Sequence, residues 1–114
     1  MVTDRERLIA AERVPFQQLI KLIEVELELA AAGRIAELRE AIERTGAFME
    51  TLPKPAPESA RPLVLQAEAM RGRVAIEAQR MREKLSASRN AMRQGRRIAR
   101  RYGLPVAKRY STTA

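Results

Sequence analysis

Thr51-Leu52-Pro53-Lys54-Pro55-Ala56-Pro57-Glu58-Ser59-Ala60-Arg61-Pro62 carries four prolines in one short run. A proline inside a helix removes a backbone donor, and its ring collides with the preceding turn. The cost is about 3 kcal/mol, so no helix continues through all four. The run is therefore a turn between two long periodic segments. Residues 1–52 form an N-terminal helical segment, 53–62 a proline-rich turn, 63–103 a long basic helix and 104–114 a flexible tail, together one helical domain.

Upstream of the turn, Phe16, Ile20, Ile23, Leu27, Ala31, Ile35, Leu38, Ile42, Met49 and Leu52 recur at three- and four-residue steps, the period of a buried helical stripe. Thr3-Asp4-Arg5-Glu6 has the form of a capping box, so a helix is expected to begin near Asp4 and to bend or restart at Pro15. The stripe keeps its phase across Gly33. The expectation is therefore one continuous or slightly bent helix, with Gly33 costing about 1 kcal/mol relative to alanine.

Downstream, the register is stricter: Leu63, Ala67, Met70, Val74, Ala78, Met81, Leu85, Ser88, Met92, Gly95, Ala99 and Tyr102. Gly103 and Pro105 supply a helix stop, and the aperiodic residues 106–114 read as a mobile tail. The fold expected is all-α: a long antiparallel helical hairpin of two long helices, with a short N-terminal helical piece. With Leu52 opposite Leu63, facing positions sum to about 115, which places Leu85 near Ala30, Arg89 near Glu26 and Ala99 near Phe16.

Composition narrows the chemistry. The 114 residues include no cysteine and no histidine, which removes thiolate nucleophiles, disulfides and imidazole as base or ligand. Glu24 and Glu28 share a helix face, but a di-iron helical site calls for Glu-x-x-His pairs. Gly33 lacks the Gly-Lys-Ser/Thr context of a phosphate loop, and no base adjoins the Ser and Thr hydroxyls. The expectation is a non-enzymatic binding protein with no cofactor and no metal. No apolar run reaches the roughly 18 residues that span a bilayer, and Asp4, Glu6 and Glu12 stand where a signal peptide would be basic and then apolar. A soluble cytoplasmic protein without a membrane span is expected.

The net charge of +8 conceals a division. Up to Leu52 the chain carries seven basic and ten acidic residues, and beyond it fifteen basic and four acidic. After Glu83 there are nine Lys or Arg and no acid, an end that attracts anionic surfaces. Arg89, Arg93, Arg96, Arg97, Arg100 and Arg101 form the basic patch. Four of its pairs, Arg89/Arg93, Arg93/Arg97, Arg97/Arg101 and Arg96/Arg100, are like charges at i,i+4, each unfavourable by roughly 0.2–0.5 kcal/mol. A solvated helix end, a nucleic-acid or ribosome-associated surface and a partner-protein surface all fit such a row. No zinc finger, RNA-recognition strand motif or set of stacking aromatics accompanies the arginines, so the partner-protein reading is the more economical.

The first helix adds a reason. Besides its stripe it carries Leu22, Val25 and Leu29, a second apolar row that one partner helix cannot cover. A third helical piece formed by residues 4–14, a second copy of the chain, or the amphipathic helix of a client would cover it. In the client case Leu22, Val25 and Leu29 border the binding surface with Met81, Leu85, Met92 and Ile98, where the methionines suit an adaptable face.

The segment LIKLIEVELELAAAGRIAELREAIERTGAFMETL, the proline-broken turn, the helix LQAEAMRGRVAIEAQRMREKLSASRNAMRQGRRIARRYG and the tyrosine-containing tail together resemble flagellar type III export chaperones of the FlgN and FliT type. The likeness spans most of the chain and rests on helical texture and element order; the arginine-rich second helix departs from the balanced or acidic composition usual there. What the resemblance implies is a helical chaperone that holds hook-associated or filament-cap subunits by their terminal helices and delivers them to the export gate. It also implies a docking tyrosine near the end of the chain, Tyr110 or Tyr102.

Overall fold

The structure, a computed structural model, describes residues 2–103. The tail at 104–114, with Pro105 and Tyr110, lies outside the described residues. Secondary structure among the described residues is helical: α1 spans Asp4–Ala31, α2 Ile35–Met49 and α3 Arg61–Arg101, with a single 3-10 turn at Glu58–Ala60 ahead of α3. The all-α hairpin about the proline turn is present, with α2 on one side and α3 on the other. Two compact units divide the chain, Met1–Gln79 and Arg80–Ala114.

Helix α1 begins as its sequence dictates. The Glu6 N–H donates to Thr3 Oγ1 at 3.2 Å, so the threonine satisfies one of the amides that the first turn leaves without a helical partner. Pro15 neither ends nor restarts the helix, which is assigned without interruption from Asp4 to Ala31. Residues 4–14 therefore belong to α1 and do not fold back over it.

The continuous first helix expected from the stripe is not found: α1 stops at Gly33. Gly33 adopts φ +72°, its N–H donates to Ala30 O at 3.1 Å, and the Arg34 N–H donates to Leu29 O at 3.0 Å. These two bonds are those of a Schellman turn, which occupies the last carbonyls of α1 and releases the chain in a new direction. Within three residues α2 starts and packs back on α1, burying Leu38, Ala41 and Thr45. Thr45 is accommodated because its Oγ1 donates to Ala41 O at 2.9 Å, which leaves no hydroxyl desolvated without a partner.

The fold-back sets the direction of α3. Ser59 Oγ donates to Glu12 Oε2 at 2.6 Å, and Arg71 Nη2 donates to Glu26 Oε1 at 3.3 Å, so residue numbers rise together along α1 and the start of α3. The first turns of α3 therefore run parallel to α1 and antiparallel to α2. Because the chain has already reversed once at Gly33, the proline turn reverses it a second time. The cation that meets Glu26 within this unit is Arg71.

The core of this unit is aliphatic: Phe16, Leu19, Ile20, Ile23 and Ala30 of α1, Leu38 and Ala41 of α2, Ala60 of the 3-10 turn, and Ala67 and Val74 of α3. On α1 these side chains, with Glu26, cover roughly a third of the circumference at about 100° per residue. Ala31, Ile35 and Ile42, expected in the stripe, are exposed, while Leu27, Met49 and Leu52 are half-buried. The shift has one cause. After the turn at Gly33 the two arms of the stripe lie on separate helices, and each helix buries the face that meets its neighbours.

Candidate functional site

Two features of the molecule bear on function, a buried ion pair in the first unit and an exposed helix face in the second. Glu26 is fully buried, at 0% exposure, yet it carries a carboxylate. Its Oε1 accepts from Arg71 at 3.3 Å, and its Oε2 is buried with no hydrogen-bond partner among the described residues. Arg71 also reaches Met49 Sδ through Nη1 at 3.4 Å, so one guanidinium ties α3 to both α1 and α2. Beside it lies an apolar cavity of about 240 Å³ bounded by Phe16, Ile23, Met49, Leu52, Val64 and Ala67. Sequence reasoning missed this pair. Its signal was present, since Glu26 follows Ile23 by three and precedes Ala30 by four, on the buried face.

The second feature is α3 from Arg80 onward. Met81, Leu85, Ser88, Met92, Gly95, Ala99 and Tyr102 are spaced by alternating steps of four and three, the heptad spacing that keeps one seam on one side of a helix. None of the described residues from Arg80 to Gly103 is buried. Met81, Met92, Gly95 and Ala99 are half-covered, Leu85 is 39% exposed, Ile98 55% and Tyr102 71%. A helix here holds the pattern of a packed element without the packing.

Charge is placed asymmetrically around that seam. At about 100° per residue, Arg82, Arg89, Arg93, Arg96 and Arg100 fall along one flank, with Arg97 and Arg101 on the side away from the seam. The opposite flank carries Lys84, Ala91 and Ile98. All six arginines expected as the basic patch, Arg89, Arg93, Arg96, Arg97, Arg100 and Arg101, are exposed on α3. Arg100 and Arg101 stand in its last turn, where the helix dipole favours cations. Gly103 ends the helix as its sequence predicts: it takes φ +69° and its N–H donates to Arg100 O at 3.3 Å.

The remaining expected contacts fall elsewhere. Leu22 and Leu29 stand at the edge of the buried arc of α1 and are half-buried, while Val25 is turned away from the core and is 44% exposed. All three belong to the Met1–Gln79 unit. Tyr102 follows α3 directly, and Tyr110 lies outside the described residues. No helix among the described residues is long and apolar enough to cross a membrane, and no group of three or more acidic side chains among them is placed to hold a metal ion.

Compared with family models, with curated proteins and with solved structures, the chain matches none of them.

Proposed function

We propose that this chain is a non-enzymatic helical chaperone or adaptor of the flagellar export type, which captures an amphipathic terminal helix of a hook-associated or cap subunit, keeps it from assembling and hands it to the export gate. The observation that supports this reading is the exposed heptad seam of α3 from Met81 to Tyr102, a face that has the periodicity of a packed helix and lacks a covering. Burying three or four side chains such as Met81, Leu85, Met92 and Ile98 supplies several kcal/mol, enough for micromolar capture after the costs of association. Tyr102, and Tyr110 beyond it, are the residues proposed to dock at the gate, and the compartment proposed is the cytoplasm.

Purification from native cells at low and high salt, with and without nuclease, tests the reading. Flagellar subunits retained at high salt support it. The row of arginines favours a second reading, a basic helical protein bound to nucleic acid or the ribosome. In that case the retained material is nuclease-sensitive and the affinity falls with salt at a log–log slope of about five to seven. Leu85→Glu with Met92→Glu is expected to abolish subunit capture at unchanged helicity. Replacing Tyr110 by Ala is expected to spare capture and reduce export.

A further inference from the structure

The chemistry of the helix that the seam receives can be read from the flank beside it. In heptad terms Leu85, Met92 and Ala99 hold the a positions, and Met81, Ser88, Gly95 and Tyr102 the d positions. The e positions that edge them are then Arg82, Arg89 and Arg96, all arginine and all exposed. The g positions on the other edge are Lys84, Ala91 and Ile98. An apolar seam bordered on one side by an unbroken arginine row is selective by charge.

A second copy of the chain is a poor occupant. In a parallel pair the e row faces the g row, which sets Arg89 against Lys84 and Arg96 against Ala91. In an antiparallel pair e faces e, so arginine meets arginine. The parallel pair offers one opposite-charge contact, Arg82 against Glu77, beside the like-charged Arg89 and Lys84, and the antiparallel e rows offer none. A lipid surface is a weaker occupant, since an interfacial helix buries a continuous face of bulky Leu, Phe or Trp, and this seam interrupts Met81, Leu85, Met92 and Tyr102 with Ser88, Gly95 and Ala99. Nucleic acid would engage the arginines and leave Met81, Leu85 and Met92 without apolar cover.

Small residues on a seam let a partner helix approach to about 8 Å between axes, and they leave space for large side chains from the other side. Arginine, with its planar fork, binds carboxylates through two parallel hydrogen bonds in a way lysine does not. We infer that the Arg80–Arg101 stretch of α3 receives an acidic amphipathic helix, one with large apolar residues at its seam positions and carboxylates along the edge that faces Arg82, Arg89 and Arg96. The inference rests on the helix-capture reading above and adds to it the charge and size of the captured segment.

The test uses the full chain and three synthetic helical peptides of about 20 residues, the length of six turns of α3. The first has Leu at a and d with Glu at e and g, the second has Leu at a and d with Lys at e and g, and the third keeps Glu at e and g but carries Ser at a and d. The expected result is micromolar binding of the first peptide, at least about tenfold tighter than either control. A chain carrying Arg82→Glu, Arg89→Glu and Arg96→Glu is then expected to invert the preference, taking the Lys peptide over the Glu peptide at unchanged helicity by circular dichroism. Equal binding of the first two peptides overturns the charge assignment and leaves helix capture standing. Equal binding of the first and third shows a site for polyanions and overturns both, as does failure to bind any of the three. Tighter binding to vesicles containing phosphatidylserine, or a dimer by sedimentation that the triple substitution does not disperse, assigns the seam to a membrane or to a second copy and overturns the inference.

Discussion

The two stretches of α3 obey one pattern and meet two fates. From Leu63 to Ala78 the seam residues pack into the three-helix unit, with Ala67 and Val74 each 5% exposed. From Met81 to Tyr102 the same spacing continues and no residue is buried. The difference lies in the neighbours. Along its first turns α3 lies beside α1, level with Glu12 at Ser59 and with Glu26 at Arg71. At that offset the last residue of α1, Ala31, comes level with the end of the first stretch. A heptad therefore records that a helix has a face to cover, and says nothing about whether the cover is part of the same chain.

The comparison breaks most readily at a fully buried apolar side chain. Ile23 is 0% exposed, so Ile23→Ala is expected to lower unfolding free energy by about 3–4 kcal/mol in urea denaturation at constant m-value. Leu85→Ala, on the exposed stretch, is expected to change it by less than about 0.5 kcal/mol. A comparable loss at Leu85 means that the later turns of α3 are packed after all.

Next in size is the buried pair. Arg71→Ala strips the partner from a fully buried carboxylate and is expected to cost about 2 kcal/mol, below the usual range for such a deletion because the Arg71 side chain is 32% exposed. Glu26→Met with Arg71→Met removes both charges at similar volume and is expected to restore most of that loss or exceed wild type. If the double variant is no better than the single, the pair contributes more than its desolvation suggests.

Two glycines sharpen the contrast through opposite signs. Gly33 sits at φ +72° with open space around it, so Gly33→Ala is expected to cost about 1 kcal/mol from backbone strain alone. Gly72 is helical and equally uncrowded, so Gly72→Ala is expected to raise stability by about 0.5–1 kcal/mol. The smallest gain is expected on the exposed arginine row. Arg93 has Arg89 and Arg97 at i−4 and i+4, and Arg93→Ala relieves both repulsions for a gain of about 0.5 kcal/mol at low salt, which fades as salt is added. A loss of stability there would show that Arg93 makes a favourable contact within the chain.

Helix class, the proline turn, the Thr3 cap, the Gly103 stop and the seam of α3 were all legible, because each rests on a local cause: a missing amide, a side-chain acceptor, a left-handed backbone or a period. On the candidate surface the positions of Met81, Leu85, Met92 and the arginines came from the same period. Gly33 shows the limit. Its cost inside a helix and its freedom at a helix end are both local facts about one residue, and the stripe on either side is compatible with each. The choice went to the turn because folding α2 onto α1 buries Leu38, Ala41 and Thr45, which a straight helix would leave without that partner.

The sequence by itself determined where α1 starts, where α3 stops and which side of α3 is apolar, since these depend on groups a few residues apart. Only the tertiary structure decided that the first segment is two helices, that the first turns of α3 run parallel to α1, and that Arg71 is the cation set against Glu26. Those outcomes depend on which of several apolar faces meet, and the residues concerned are separated by 45 positions along the chain. Reversing the chain once more at Gly33 moves every long-range pairing after it while leaving each local preference satisfied, which is why the local pattern carried no record of it.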